Sequence, residues 1–148
     1  MIDSPFPDSS VDIEVRAWAA LAKRLADSEV GANTDHSYRN RLSWELDYIR
    51  KANLAPYIAA VTELVDRARA QGILVGPGRG SSPSSLVLYL LGVTQIDPVA
   101  HGFIAERWFS DPVIEIDVEW HRRKELVDSV MRCRLGLASA TYNQLQRF

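Results

Sequence analysis

Seven consecutive residues, Gly76-Pro77-Gly78-Arg79-Gly80-Ser81-Ser82, concentrate the chemistry of this chain. The alternating glycines free the backbone to take positive φ and to come close to a ligand. Pro77 stiffens the entry. Ser81 or Ser82 is placed to cap a following helix, with Pro83 suited to its first turn. The apolar run Ile73-Leu74-Val75 before the loop reads as a strand, and Leu86 to Leu91 after it as a helix. A strand, a glycine-rich turn and a capped helix start present unpaired N–H groups, and Arg79 adds fixed positive charge. That combination suits an anion, and a phosphate chain above all. The loop lacks the Gly-Lys-Ser/Thr ending of a P-loop and the G-x-G-x-x-G dinucleotide fingerprint. A plain glycine-rich turn is the other reading of these residues.

The second chemical stretch is Val113-Ile114-Glu115-Ile116-Asp117-Val118-Glu119. Its strict alternation matches the side-chain period of a strand. Ile114, Ile116 and Val118 would face a core, with Glu115, Asp117 and Glu119 aligned on the other side. Acidic residues are poor strand formers, so three in register need a reason. One is an edge strand protected by charge from pairing with other chains. The other is a divalent metal site, since Mg²⁺ is commonly held by one or two carboxylates plus substrate phosphates. Just beyond, Arg122, Arg123 and Lys124 fall in the first turn of a helix expected over 121–134, the unfavourable end for cations. The acidic strand or a bound phosphate would offset them. His36, His101 and His121 have no ligand spacing. Cys133 reads as a packing residue, and Ser81 lacks a nucleophile-elbow context.

Several helices must position these stretches. Residues 1–10 read as a loose lead-in. A helix follows over 11–27 with the stripe Val11, Val15, Trp18, Ala22 and Leu25. A loop is expected over 28–36. The next helix, 37–52, places Tyr38, Leu42, Leu46 and Ile49 on one face and Trp44 and Tyr48 on another, so it should touch neighbours on two sides. Pro56 opens a third helix ending near Ala70. A buried helix is expected over 83–91, a turn at Asp97-Pro98, a helical stretch over 98–108 and a turn at Ser110-Asp111-Pro112.

The bulk properties narrow the function classes. The chain has 148 residues, 47% of them hydrophobic, and a net charge of −2, which suits one globular domain with a substantial core. It is not a globally basic nucleic-acid binder, so any such contact must be local. No apolar run approaches a membrane span, and the N-terminal residues lack a signal pattern. A cytoplasmic protein is the expectation. With Cys133 as its only cysteine, the chain has neither an internal disulfide nor a cysteine-cluster metal site.

The run Gly72 to Ser81, then Ser85-Leu86-Val87, Tyr89 to Thr94 and Asp97-Pro98, closely resembles the palm of bacterial C-family DNA polymerases, the alpha subunits of DNA polymerase III and their error-prone paralogues. Arg41-Leu42, Trp44 to Asp47, Ile49 and Tyr57 upstream, and Gly102, Glu106-Arg107-Trp108, Arg122-Arg123 and Glu125-Leu126-Val127 downstream, extend the similarity over roughly 37–132. Residues 1–36 then form an N-terminal extension with one helix, 37–132 the palm-like domain and 133–148 a divergent tail. The resemblance implies an α+β fold, the nucleotidyltransferase palm shared with polymerase beta: a small sheet with flanking helices, mostly helical by residue count. It also implies roles. Gly78, Arg79, Gly80 and Ser81 would hold a nucleoside triphosphate, with Arg107 and Arg123 near the same phosphates. Glu115 and Asp117 would be the catalytic metal carboxylates, with Mg²⁺ as cofactor; a register shifted by two would use Asp117 and Glu119.

The chain departs from the family pattern at Glu115, where the family has aspartate, and at Val113. The family's third metal carboxylate, its fingers and its amino-terminal phosphoesterase-like domain lie outside this sequence. The resemblance therefore implies a truncated protein of the alpha-subunit type that binds a nucleoside triphosphate, DNA or both, without autonomous DNA polymerase activity. Two alternatives stand beside it. One is a minimal metal-dependent nucleotidyltransferase using Glu115 and Asp117. The other is a non-catalytic relic or a module that contacts replication proteins.

Overall fold

Apolar residues at three- and four-residue spacing dominate the chain, and they fold as helices. The structure, a computed structural model, describes residues 9–27 and 32–133. Its α-helices are α1 (Ser9–Asp27), α2 (Ala32–Lys51), α3 (Ala55–Ala70), α4 (Leu86–Leu90), α5 (Glu106–Phe109) and α6 (Arg123–Cys133). Single 3-10 turns at Ser82–Ser84 and Trp120–Arg122 precede α4 and α6. The lead-in expected over 1–10 and the tail expected over 133–148 lie outside the described residues, but for the helix ends at Ser9, Ser10 and Cys133.

Helix α1 packs against α2, α3 and α4, α2 against α4, and α3 against α6. The core joins Ile13, Ala17 and Leu21 of α1 to Leu42, Leu46 and Ile49 of α2, and to Ile58 and Val65 of α3. The buried Leu86, Val87 and Leu88 of α4 fill its centre, as expected for a helix that is apolar nearly all round. The second face of α2 also finds a neighbour: Trp44 and Tyr48 meet Phe109 of α5, with ring centroids 5.6 and 4.5 Å apart.

Five expectations are corrected, four of them local. First, α1 buries Ile13, Ala17 and Leu21, while Val11, Val15 and Trp18 of the expected stripe are exposed. Both sets have helical spacing, and packing against α2, α3 and α4 selects one of them. Second, α2 begins at Ala32, so residues 32–36 of the expected loop are helical, while 28–31 lie outside the described residues. Third, the 83–91 helix is split into the 3-10 turn and α4, and its cap is Ser85, whose side chain accepts from the Leu88 N–H. Fourth, the stretch expected to be helical over 98–108 becomes α-helical only at Glu106, the start of α5; residues 98–102 form a turn.

The largest correction concerns the fold class. Among the described residues there is no strand and no sheet, so the α+β expectation does not hold. The two extended segments run antiparallel but meet only at isolated bridges, Val75 with Val118 and Arg79 with Glu115. Val75 to Arg79 is four steps and Glu115 to Val118 three, so the glycine segment holds one extra residue. That is the count of a bulge, which breaks a ladder. Inside it, Pro77 has no N–H to give, and Gly78 sits at φ 146°.

Candidate functional site

The acidic segment is held from both of its sides. Ile114 and Ile116 pack on the main core. Val118 joins a smaller cluster with Ala68, Ile73, Leu126 and Val75. The Ile114 N–H donates to the Tyr57 hydroxyl at 2.9 Å, and Trp108 Nε1 donates to the Val113 carbonyl at 3.0 Å. The alternation read from the sequence therefore operates: the apolar residues turn inward while Glu115 and Asp117 are exposed.

These two acids face the glycine loop. Gly76 N donates to the Asp117 carbonyl at 2.8 Å. Arg79 Nη1 donates to Asp117 Oδ1 at 3.1 Å across the gap. A methyl group on Gly80 would lie 2.6 Å from Glu115 Oε2, and one on Gly76 would lie 3.0 Å from Asp117 Cβ. Glycine is thus what lets the acidic segment come this close. Gly80, at φ +65°, also takes a backbone conformation that L side chains rarely adopt.

The loop is anchored underneath. Gln95 N donates to the Pro77 carbonyl at 2.6 Å, and the buried Ser82 hydroxyl donates to the Arg79 carbonyl at 2.8 Å. Thr94 packs below Gly78, its methyl 3.5 Å from where a Gly78 Cβ would sit.

The N–H groups after the loop, expected to be open to an anion, are taken by the protein itself. Glu45 of α2 is buried, and its carboxylate accepts from Leu86 N at 2.9 Å, Val87 N at 3.0 Å and Ser85 Oγ at 2.9 Å. Arg41 Nε completes the set at 2.7 Å. Sequence reading missed this role, although Arg41 and Glu45 stand at the i, i+4 spacing of a helical ion pair. No local signal says that the pair points inward.

The remaining candidates are placed as follows. Glu119 is turned to the backbone: Oε1 accepts from Leu74 N at 2.6 Å, and Oε2 lies 3.4 Å from His121 Nε2. Arg107 is exposed on α5, which packs against the Ser82–Ser84 turn. Arg123 opens α6 with its guanidinium 6.0 Å from the Trp120 ring centroid. Neither arginine side chain bonds to the loop or to the acids among the described residues. The cations at the start of α6 are offset locally. Arg122 pairs with Glu125 and donates to the Gln71 carbonyl at the end of α3, and Lys124 pairs with Asp128. The Arg122 hydrogen bond holds the Glu125 carboxyl below its ordinary value.

The chemistry that this arrangement supports follows from its exposure. An exposed ion pair such as Arg79–Asp117 contributes only roughly 0.2–1 kcal/mol. The pair therefore adds little stability, and both side chains are accessible to other partners. Glu115 and Asp117 match the one or two carboxylates by which Mg²⁺ is bound beside substrate phosphates. Among the described residues no three acidic, histidine or cysteine side chains converge as an all-protein metal cage. No described helix is long and apolar enough to cross a membrane.

Comparison with known proteins adds family membership. Residues 13–135 match the family described as the bacterial DNA polymerase III alpha NTPase domain. The DNA polymerase III subunit alpha of Thermotoga maritima is 41% identical over 113 residues, covering 73% of this chain and 13% of the relative. That of Mycobacterium tuberculosis is 44% identical over 101 residues, 65% of this chain and 8% of the relative. That of Aquifex aeolicus is 34% identical over 131 residues, 84% of this chain and 11% of the relative. The chain thus spans about a tenth of the length of these relatives.

Proposed function

The chain belongs to the bacterial DNA polymerase III alpha NTPase domain family, and on that premise we propose that it is a nucleotide-binding module of replication type. Its ligand is the triphosphate of a nucleotide, alone or at the end of a DNA strand. Gly78, Arg79, Gly80 and Ser81 take the phosphates. Arg107 and Arg123, on elements beside the loop and the acidic segment, lend long-range attraction. Glu115 and Asp117 would hold Mg²⁺; Glu119, bonded to Leu74 N, is a clamp for the acidic segment instead.

When bound, Mg²⁺ would supply charge neutralisation to the phosphates. The chain's own residues do the rest. The loop backbone approaches the ligand where a side chain would block it. Arg79 exchanges an exposed carboxylate for phosphate oxygens, to which a guanidinium donates in matched pairs. The Glu45 carboxylate excludes the ligand from the start of α4, so the phosphates stay over Gly78 to Ser81. Full DNA synthesis, in this reading, draws on groups beyond these; the protein by itself binds and orients.

The observation that carries the proposal is the Arg79–Asp117 contact at 3.1 Å, which puts the loop cation and an acid of the second stretch face to face. Calorimetric titration with a deoxynucleoside triphosphate and Mg²⁺ tests it. Wild type should bind, and Arg79→Ala should bind at least about 10-fold more weakly, a loss of about 1.4 kcal/mol. No heat with wild type would overturn the proposal. Label transfer from the nucleotide to DNA by the chain alone would replace it with the minimal nucleotidyltransferase.

A further inference from the structure

A buried carboxylate is costly unless every acceptor position is filled. Glu45 meets that condition with four donors: Arg41 Nε, Ser85 Oγ and the N–H groups of Leu86 and Val87. Arg41 is itself spread across three elements. Its Nη2 donates to the Ser84 carbonyl at 2.7 Å and its Nη1 to the Phe103 carbonyl at 3.1 Å. The network therefore fixes Ser84 to Val87 against α2. Two bonds carry that order back into the loop: Ser84 N donates to the Ser81 carbonyl at 3.0 Å, and the buried Ser82 hydroxyl donates to the Arg79 carbonyl. The Arg79 side chain itself is exposed.

We propose that Glu45, held by Arg41, is a positioning residue for the glycine loop, setting through Ser82 where Arg79 stands over Glu115 and Asp117. The carboxylate takes up the first N–H groups of α4 and so makes the turn a rigid platform. It touches no ligand. Its effect on nucleotide binding is indirect, through the height and direction of the Arg79 backbone. The inference rests on the nucleotide-binding reading for its consequence, though the ordering of the loop is independent of any ligand.

Two variants and two readouts test it. Glu45→Gln keeps the shape and removes the charge. Ser82→Ala leaves the Glu45 network whole and cuts the link to Arg79. Amide hydrogen exchange is followed on the free protein, with α1 and α3 as the control for folding, and Mg²⁺-triphosphate affinity by calorimetry. Glu45→Gln should speed exchange at Leu86 and Val87 and in residues 79–82, and weaken binding at least about 10-fold, as for a misplaced group. Ser82→Ala should speed exchange in residues 79–82 alone and weaken binding about 3-fold, the scale of one hydrogen bond.

Unchanged exchange in residues 79–82 in a folded Glu45→Gln protein would overturn the proposal. If that variant does not fold, Ser82→Ala decides: unchanged loop exchange overturns it. Should wild type bind no triphosphate, the nucleotide-binding reading falls, and the loop exchange alone then confirms or overturns the positioning role.

Discussion

Gly78 and Gly80 show how a single missing side chain decides what two segments can do together. At Gly80 an added methyl meets the far end of Glu115, a flexible side chain, at 2.6 Å. At Gly78 it meets Pro83 Cγ at 2.8 Å, and the proline ring cannot swing aside. Both glycines have positive φ, which costs an L residue roughly 1–2 kcal/mol. Gly80→Ala should therefore lose about that much stability in urea unfolding and displace Glu115. Gly78→Ala should lose more, since backbone strain and a rigid clash add. Equal losses would mean that the Pro83 contact relaxes freely. The spacing of the glycines and the alternation of Glu115 and Asp117 were legible in the sequence, because both are local patterns. That Glu115 and Asp117 confront the loop while Glu119 bonds to Leu74 N was not, because the difference is made by partners 45 residues away.

Among the elements, helices were legible and their faces less so. Helical spacing located α1, α2 and α3 within a few residues, apart from the early start of α2. It could not choose between Val11-Val15-Trp18 and Ile13-Ala17-Leu21, since periodicity ranks both and packing selects one. The sheet failed for a different reason. Ile73 to Val75 and Ile114 to Val118 have the patterns of strands, yet the glycine segment, with its extra residue, meets the acidic one only at two isolated antiparallel bridges, Val75 with Val118 and Arg79 with Glu115. A further tie between elements is sensitive to pH. Tyr38 of α2 donates to Asp97 Oδ2 at 2.5 Å, while Asp97 Oδ1 caps the following turn through Val99 N and Ala100 N. Burial, and then the Asp97 hydrogen bond, raise the Tyr38 pKa above its ordinary 10.0. The folded protein thus holds this proton more tightly than the unfolded chain. The resulting stability is fully present below pH 10 and is lost as pH rises beyond it. Tyr38→Phe should flatten the alkaline limb of a stability-against-pH curve; an unchanged slope would place the titration elsewhere.

Across the whole molecule, one helical core supports a loop and an acidic segment that are distant in sequence and adjacent in space. Family membership extends this picture to relatives of whose length the matched residues make up about a tenth. The family was legible because its motifs are contiguous; the internal carboxylate under the loop was not, because the Arg41–Glu45 pair looks like any exposed helical ion pair. The central claim is that the loop and the acids act on one ligand, the phosphates on one side and a metal ion on the other. Linkage between the two measures it most directly. Triphosphate affinity is titrated with and without Mg²⁺, for wild type and for Glu115→Gln/Asp117→Asn. Wild type should gain at least about 10-fold from Mg²⁺, about 1.4 kcal/mol of coupling, and the double variant should gain none while still binding the nucleotide through Arg79. An equal gain from Mg²⁺ in both proteins would contradict the account.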